Sequence, residues 1–383
     1  MAEEPARRVS IFDTTLRDGE QAPGNAMTPD QKVDLALRME ALGVDYIETG
    51  FPASAPAEME ATRLIAERLT RAHFTTFCRA DRRDIDAAVQ AGGTRRHQVQ
   101  ILVTGSDLHL EHKRRITRKE GLDEVTDAVG HARSLGIQDI SVGIEDASRG
   151  DHDYLHELTD RALTEGARTF VIGDTSGCMT PEAYGRLTAR FRTWVPAPAR
   201  LSTHCHDDFG LSLANAIASL QAGADEVQAT LGGIGERAGN TPLEEVVALL
   251  AYKRDELGLY TDIDTTGLND AYGMLRAAIG LTEPRNKPIF GTYAFSTAAG
   301  IHQQGVLRNP ETYEYVEPRR FGRSRSILIA RHSGRSVLRY LLDELGIEAN
   351  EDELTELYRV HIAERPGGDC EDIGVLRERL GRN

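Results

Sequence analysis

The sequence predicts an α/β fold: a closed (β/α)8 TIM barrel followed by a linker and a small helical C-terminal subdomain. Three observations predict it. A short apolar or β-branched run, a polar turn and an amphipathic helical pattern recur up to about residue 250. The repeats count to eight, and eight strand–helix units in about 250 residues suit a parallel sheet closed on itself. Finally, unusual polar residues follow the strand candidates, and a barrel gathers its catalytic loops at the C-terminal ends of its strands.

Taken in order, the expected strands are 9–13, 44–49, 74–78, 98–104, 139–144, 169–173, 201–204 and 226–230. Helical patterns such as PDQKVDLALRMEAL, DEVTDAVGHARSL and PLEEVVALLAYKRDEL lie between them. Three helices open with Thr-Pro, at Thr28-Pro29, Thr180-Pro181 and Thr241-Pro242. Thr caps free amides, and Pro at the first helical position lacks a donor that would be orphaned anyway. Gly43, Gly92, Gly136, Gly166 and Gly223 mark helix ends. An open, doubly wound sheet would place a glycine fingerprint after the first strand, whereas this chain reads DTTLRDGEQ there. At the strand ends stand Arg17 and Asp18 (first), Glu48 (second), Arg79 (third), Glu145 (fifth), Thr175 (sixth), His204 and His206 (seventh) and Asn240 (after the eighth). Beyond about residue 255 the pattern changes to LTEPRNKPIFGTYAFSTAAG, an Arg-rich segment and helical patterns near 336–345 and 351–364. The expected division is therefore a catalytic barrel over 1–255 and a linker with a helical subdomain over 256–383.

Bulk properties narrow the function. A net charge of −15, from 45 basic and 60 acidic residues, disfavours nucleic acid as a partner. No apolar run approaches the roughly 18 residues that span a membrane. MAEEPARRVS carries no apolar signal segment, and Cys78, Cys178, Cys205 and Cys370 are scattered without a CxxC. A cytoplasmic protein with reduced thiols is the expectation.

His204-Cys205-His206 is the sharpest local signal. On a strand, residues i and i+2 face the same way, so both imidazoles would face the barrel mouth. Paired histidines also satisfy one another, so this pair alone leaves metal binding open. Asp18 adds a carboxylate, because strands one and seven are near neighbours in an eight-stranded barrel. Two imidazoles, a carboxylate and the Asn240 amide would leave open positions on Mg2+, Mn2+ or Zn2+, as catalytic ions require. Arg17, beside Asp18, is placed to assist a polarised oxygen, unless it pairs with Asp13 or Glu20.

FDTTLRDGEQAPG, ETGFP, EDASR, GDTSG, HCHDDFG, GGIGERAGN, GIHQQGVLRNPETYE and RHSGR, in this order, resemble the 2-isopropylmalate/homocitrate synthase family. The resemblance runs from about residue 9 to about 340. It implies a barrel with a trailing subdomain that joins acetyl-CoA to a 2-oxo acid and hydrolyses the thioester. It implies Asp18, His204 and His206 as metal ligands, with Asn240 near or on the metal. It implies that Arg79 and Thr175 contact the oxo acid, and that His302 and Tyr313 move protons with Glu145. A homodimer follows too, with the subdomain acting on the neighbouring barrel. The chain's shortness, with SVGIEDASR and RHSGR, leans toward the homocitrate synthase branch.

Departures bear on the substrate. Gln100 stands where isopropylmalate synthases tend to have His, Asp207 where the family usually has Asn, and Ser176 where Val is usual. DISVGI lacks the basic residue expected for the distal carboxylate of 2-oxoglutarate. These polar swaps favour an anionic oxo acid, a phosphonate included, over an aliphatic one of the isopropylmalate or citramalate type. A lyase or aldolase on the same barrel is disfavoured by the trailing GIHQQG and RHSGR. A biotin-dependent carboxyltransferase is disfavoured because the expected strands contain no lysine. A barrel that merely binds metal or CoA would be expected to have lost Arg17, Asp18 or a histidine.

Overall fold

The structure, a computed structural model, describes residues 5–381. Eight parallel strands close into a barrel in sequential order: β1 (Ser10–Asp13), β2 (Tyr46–Gly50), β3 (His73–Arg79), β4 (His97–Thr104), β5 (Asp139–Glu145), β6 (Thr169–Asp174), β7 (Arg200–Cys205) and β8 (Glu226–Ala229). Closure is made by β1 on β8, with Ser10 opposite Glu226 and Asp13 opposite Ala229. Each expected strand is present, with its ends within two residues of those expected.

Eight helices alternate with the strands: α1 (Pro29–Leu42), α2 (Pro56–Arg68), α3 (Arg82–Gly92), α4 (Arg118–Ser134), α5 (His152–Glu165), α6 (Pro181–Trp194), α7 (Ser212–Gln221) and α8 (Leu243–Tyr252). Thr28 and Thr180 cap α1 and α6 as expected, each hydroxyl accepting from an amide of the first turn. Thr241 does not cap α8; its hydroxyl lies 3.4 Å from the carbonyls of Cys205 and Ser212 and ties the loop down instead. The strands are buried on both faces: Ile11, Phe12, Ile101, Val142, Phe170 and Leu201 have essentially no exposure.

The barrel interior is polar in two storeys. At the strand starts, Tyr46 and Gln98 bond Asp139, while Arg200 bonds Tyr46 and approaches Glu226. Burial raises the Glu226 carboxyl to about 7. One pleat higher lie Glu48, Gln100 and Gln228, and the third storey opens to the site.

The chain divides into two compact units, the first ending at Leu281 and the second starting at Thr282. The boundary therefore lies beyond residue 255, because the helix Leu268–Ile279 packs on α1. The second unit is not helical alone. It holds a three-stranded sheet of β9 (Ser296–Thr297), β10 (Ser326–Ala330) and β11 (Cys370–Asp372). Its own core joins Ile329 on β10 to Val337, Leu338 and Leu341 of the helix Arg335–Leu345.

Candidate active site

A cavity of about 780 Å3 opens at the C-terminal ends of the barrel strands, and Arg17, Asp18, Arg79, Glu145, Thr175, His204 and His206 all line it. Asp18, His204 and His206 converge there. The Asp18 Oδ2 atom lies 3.6 Å from His204 Nε2 and 3.9 Å from His206 Nε2. The two imidazoles stand edge to face, 5.2 Å apart. Cys205, between them, is buried, as strand alternation demands.

Charge and burial set these groups for a cation. Burial pushes the Asp18 carboxyl up, but Arg17, His204, His206 and the Asn240 amide together outweigh it and hold it well below the carboxylate range. Burial lowers His204 to about 3 and lowers His206 too, against the pull of Asp18. Both rings are then neutral at neutral pH, with lone pairs available. A divalent ion with bonds of about 2.0–2.2 Å needs the three donors to close in by roughly half an ångström. Two buried atoms also lack a hydrogen-bond partner here, His206 Nδ1 and Asn240 Oδ1. Asn240 Nδ2 donates to Asp18 Oδ1 at 2.7 Å, which ties the amide to the triad and leaves its carbonyl oxygen unpartnered. The residues present fit an ion bound by mixed N and O ligands.

The loop after β8 brings Asn240 into place. Gly235 has φ +148, and a Cβ there would stand 2.2 Å from Asn240 Nδ2; Gly239 has φ +93, and its Cβ would meet the Gly233 carbonyl at 1.9 Å. Only glycine suits both positions. Arg237, from the same loop, bonds Asp208 and the Thr175 carbonyl. Asp207 turns away from the triad, its carboxylate accepting from the Ser212 amide.

Arg17 pairs with neither Asp13 nor Glu20. Its Nε donates to Glu48 at 2.8 Å and one terminal nitrogen donates to Asp18 at 2.7 Å, and its guanidinium lies over the Phe77 ring. Thr175 Oγ1 accepts from the Asp146 amide at 2.8 Å, which leaves its proton free to donate. Arg79 makes a bidentate pair with Asp84 at the barrel mouth and stays more than half exposed. Glu145 is held by Lys113 at 2.5 Å, with His109 Nδ1 at 3.4 Å. His109 and Lys113 belong to a π-helical turn, His109–Arg114, a form frequent at functional sites. Sequence reasoning passed over both, and also over Gln228. Their signal was weak: SDLHLEHK reads as an ordinary polar loop, and a lone Gln on a strand reads as a surface residue. Ser176 does not line the cavity; its hydroxyl is buried without a partner.

His302 and Tyr313 belong to the second unit. Their ring centroids lie 4.3 Å apart with the planes tilted by 38°, and Tyr313 is half exposed. Gly305 allows the approach, since a Cβ there would stand 2.7 Å from the Tyr313 ring.

Comparison with known proteins agrees with this architecture. The HMGL-like family matches residues 8–274, and the family described as homocitrate synthase post-HMGL domain-like matches 289–363. A 2-isopropylmalate synthase from Sediminispirochaeta smaragdinae is 40% identical over 92% of this chain and 71% of its own length. A putative (R)-citramalate synthase from Methanothermobacter thermautotrophicus is 42% identical over 92% of this chain and 69% of its own length. Among solved structures, the HMG-CoA lyase of Bacillus subtilis superposes with a TM-score of 0.63 at 19% identity, over 72% of this chain and 96% of its own, a likeness of fold alone. The chain belongs to the 2-isopropylmalate/homocitrate synthase family of condensing metalloenzymes, on an HMGL-like barrel.

Proposed function

We propose that this protein condenses acetyl-CoA with a 2-oxo acid, giving a 2-hydroxy acid and free CoA. The observation that carries the proposal is the convergence of Asp18, His204 and His206 beside Arg17 at the barrel mouth. A divalent ion held by these three, with Asn240, would supply Lewis acidity to the oxo oxygen. Arg17, pinned by two carboxylates, keeps its remaining terminal nitrogen for that oxygen, whose charge grows as the new bond forms. Thr175 donates its free proton to the oxo-acid carboxylate, and Arg79 guards the rim. Glu145 takes part in proton transfer together with His302 and Tyr313. The acetyl methyl loses a proton, its carbon bonds the ketone carbon, and the oxygen gains a proton. Water then cleaves the thioester and releases the thiol. We place the His302–Tyr313 pair over the barrel of a second copy, which makes the working unit a homodimer.

For the oxo acid we favour an uncharged side chain, the isopropylmalate or citramalate type, over the anionic one that the polar swaps suggest. Gln100 carries no charge, and its amide nitrogen and oxygen are already engaged by Glu48 and Gln228. The neighbouring lining is Leu102, Gly143, Ile144 and Val171. The cations around the mouth are paired, Arg79 with Asp84, Lys113 with Glu145, Arg114 with Glu124 and Arg237 with Asp208. The relatives named above also carry those two activities in their names.

The test is thiol release from acetyl-CoA with Mg2+ or Mn2+ and a panel of oxo acids: pyruvate, 2-oxoisovalerate, oxaloacetate, 2-oxoglutarate and a phosphonate analogue. Release that requires both metal and one uncharged oxo acid is the expected result. Release independent of any oxo acid would make the protein a thioesterase and end the proposal. Dependence on an anionic acid alone would keep the reaction and overturn the substrate class.

A further inference from the structure

Two members of the metal-ligand triad, His204 and Asp18, stand at the ends of one chain of buried hydrogen bonds. His204 Nδ1 faces Gln228 Oε1 at 3.0 Å. The Gln228 amide nitrogen donates to Gln100 Oε1 at 2.8 Å, and the Gln100 amide nitrogen donates to Glu48 Oε1 at 3.1 Å. Glu48 Oε2 accepts from Arg17 Nε at 2.8 Å and from the Thr14 hydroxyl. Arg17 donates onward to Asp18, whose Oδ2 lies 3.6 Å from His204 Nε2. Four strands and the loop after β1 contribute, and Glu48, Gln100 and Gln228 are at most 3% exposed.

The polarity of this chain of bonds follows from its charged members. An ionised carboxylate only accepts and a guanidinium only donates. Glu48 therefore obliges Gln100 to turn its amide nitrogen inward and its oxygen to Gln228. Gln228 must in turn offer its nitrogen to Gln100 and its oxygen to His204. The imidazole then carries its proton on Nδ1 and presents a lone pair on Nε2 toward Asp18. Left alone, the two amides and the ring would each have two orientations of similar energy.

We infer that Gln228 and Gln100 are positioning residues, relaying the acceptor character of Glu48 across the barrel and fixing His204 as the Nδ1–H tautomer before any ion arrives. This rests on the metal reading above for its purpose, but its geometry stands without an ion. The arrangement resembles the ligand–imidazole–carboxylate triads of metal sites, with two amides inserted between ring and carboxylate. It links the residue that meets the oxo acid, Arg17, to the metal ligand His204 through side chains that cross the barrel interior.

The test uses the full chain labelled with 15N-histidine and stripped of metal. Ring 15N–1H correlation spectra report the His204 tautomer, assigned by its loss in His204→Asn. Mn2+ affinity is read from the electron paramagnetic resonance signal of free Mn2+. The intact protein should show Nδ1–H at His204. Gln228→Met should weaken Mn2+ binding about 10- to 100-fold. Gln100→Met, which touches no ligand, should weaken it in the same direction by about threefold or more. Both variants should lose the Nδ1–H signature. An Nε2–H tautomer in the intact protein would overturn the inference, whether or not the variants fold. So would folded variants with unchanged tautomer and Mn2+ binding within twofold of the parent. If the intact protein binds no Mn2+ but shows Nδ1–H lost in Gln100→Met, the relay stands and the metal reading falls.

Discussion

His97 shows at the scale of one residue how burial sets chemistry away from the mouth. On β4 its ring stacks on Phe74, and its nitrogens meet the Thr76 hydroxyl and the Gly93 carbonyl. Burial lowers it to about 4. The unfolded chain protonates a histidine near pH 6.5. Between those values the unfolded state binds a proton that the folded state refuses. The stability contributed by a neutral His97 is thus complete above about pH 6.5 and is lost as pH falls toward 4. By pH 5 the loss is about 2 kcal/mol. Denaturant titrations at pH 7 and pH 5 should show His97→Gln losing less stability across that interval than the parent; equal losses would refute the assignment. Arg79 is the other instructive residue: the resemblance implies contact with the oxo acid, and the fold engages its guanidinium in an ion pair with Asp84 at the mouth.

Among elements, the loop after β8 decides most. GGIGERAGN folds as a turn that delivers Asn240 to Asp18. Gly235→Ala places a methyl where the Asn240 amide now lies. Mn2+ affinity should fall about tenfold or more, the usual effect of disturbing a ligand's support, while β8 keeps its pairing and circular dichroism stays native. Affinity unchanged within twofold would mean that Asn240 has no part in holding the ion. The eight barrel strands were legible because each is bounded by turn residues and followed by a helix-period pattern. The sheet of the second unit was not. Two of its strands hold two and three residues, and β10 pairs with β11, which lies some forty positions later, through contacts that no local pattern announces.

For the whole molecule, a site closed by groups from both ends of the barrel sequence ties ion binding to folding. An ion that binds only the folded barrel stabilises it by about 2.7 kcal/mol at a hundredfold excess over its dissociation constant. Chelator-treated protein should melt several degrees below the same protein with Mn2+, and the gap should widen with Mn2+ concentration. A melting temperature indifferent to both would mean that Asp18, His204 and His206 hold no ion. Most of the mouth was legible too. Asp18, His204, His206 and Asn240 come together as expected, because strand-end position in a barrel is nearly a coordinate. Partnerships were less legible: Glu48 rather than Asp13 or Glu20 meets Arg17, and Lys113 holds Glu145.

By itself the sequence determined the count of barrel strands, their order, and which residues would stand at their ends, since period and punctuation are local properties of the chain. Which of those residues touch, which amide turns which way, and whether the Gln100 amide is free for a substrate were decided only on closure. Those contacts join residues tens to hundreds of positions apart, and their energies depend on a burial that does not exist until the barrel has formed.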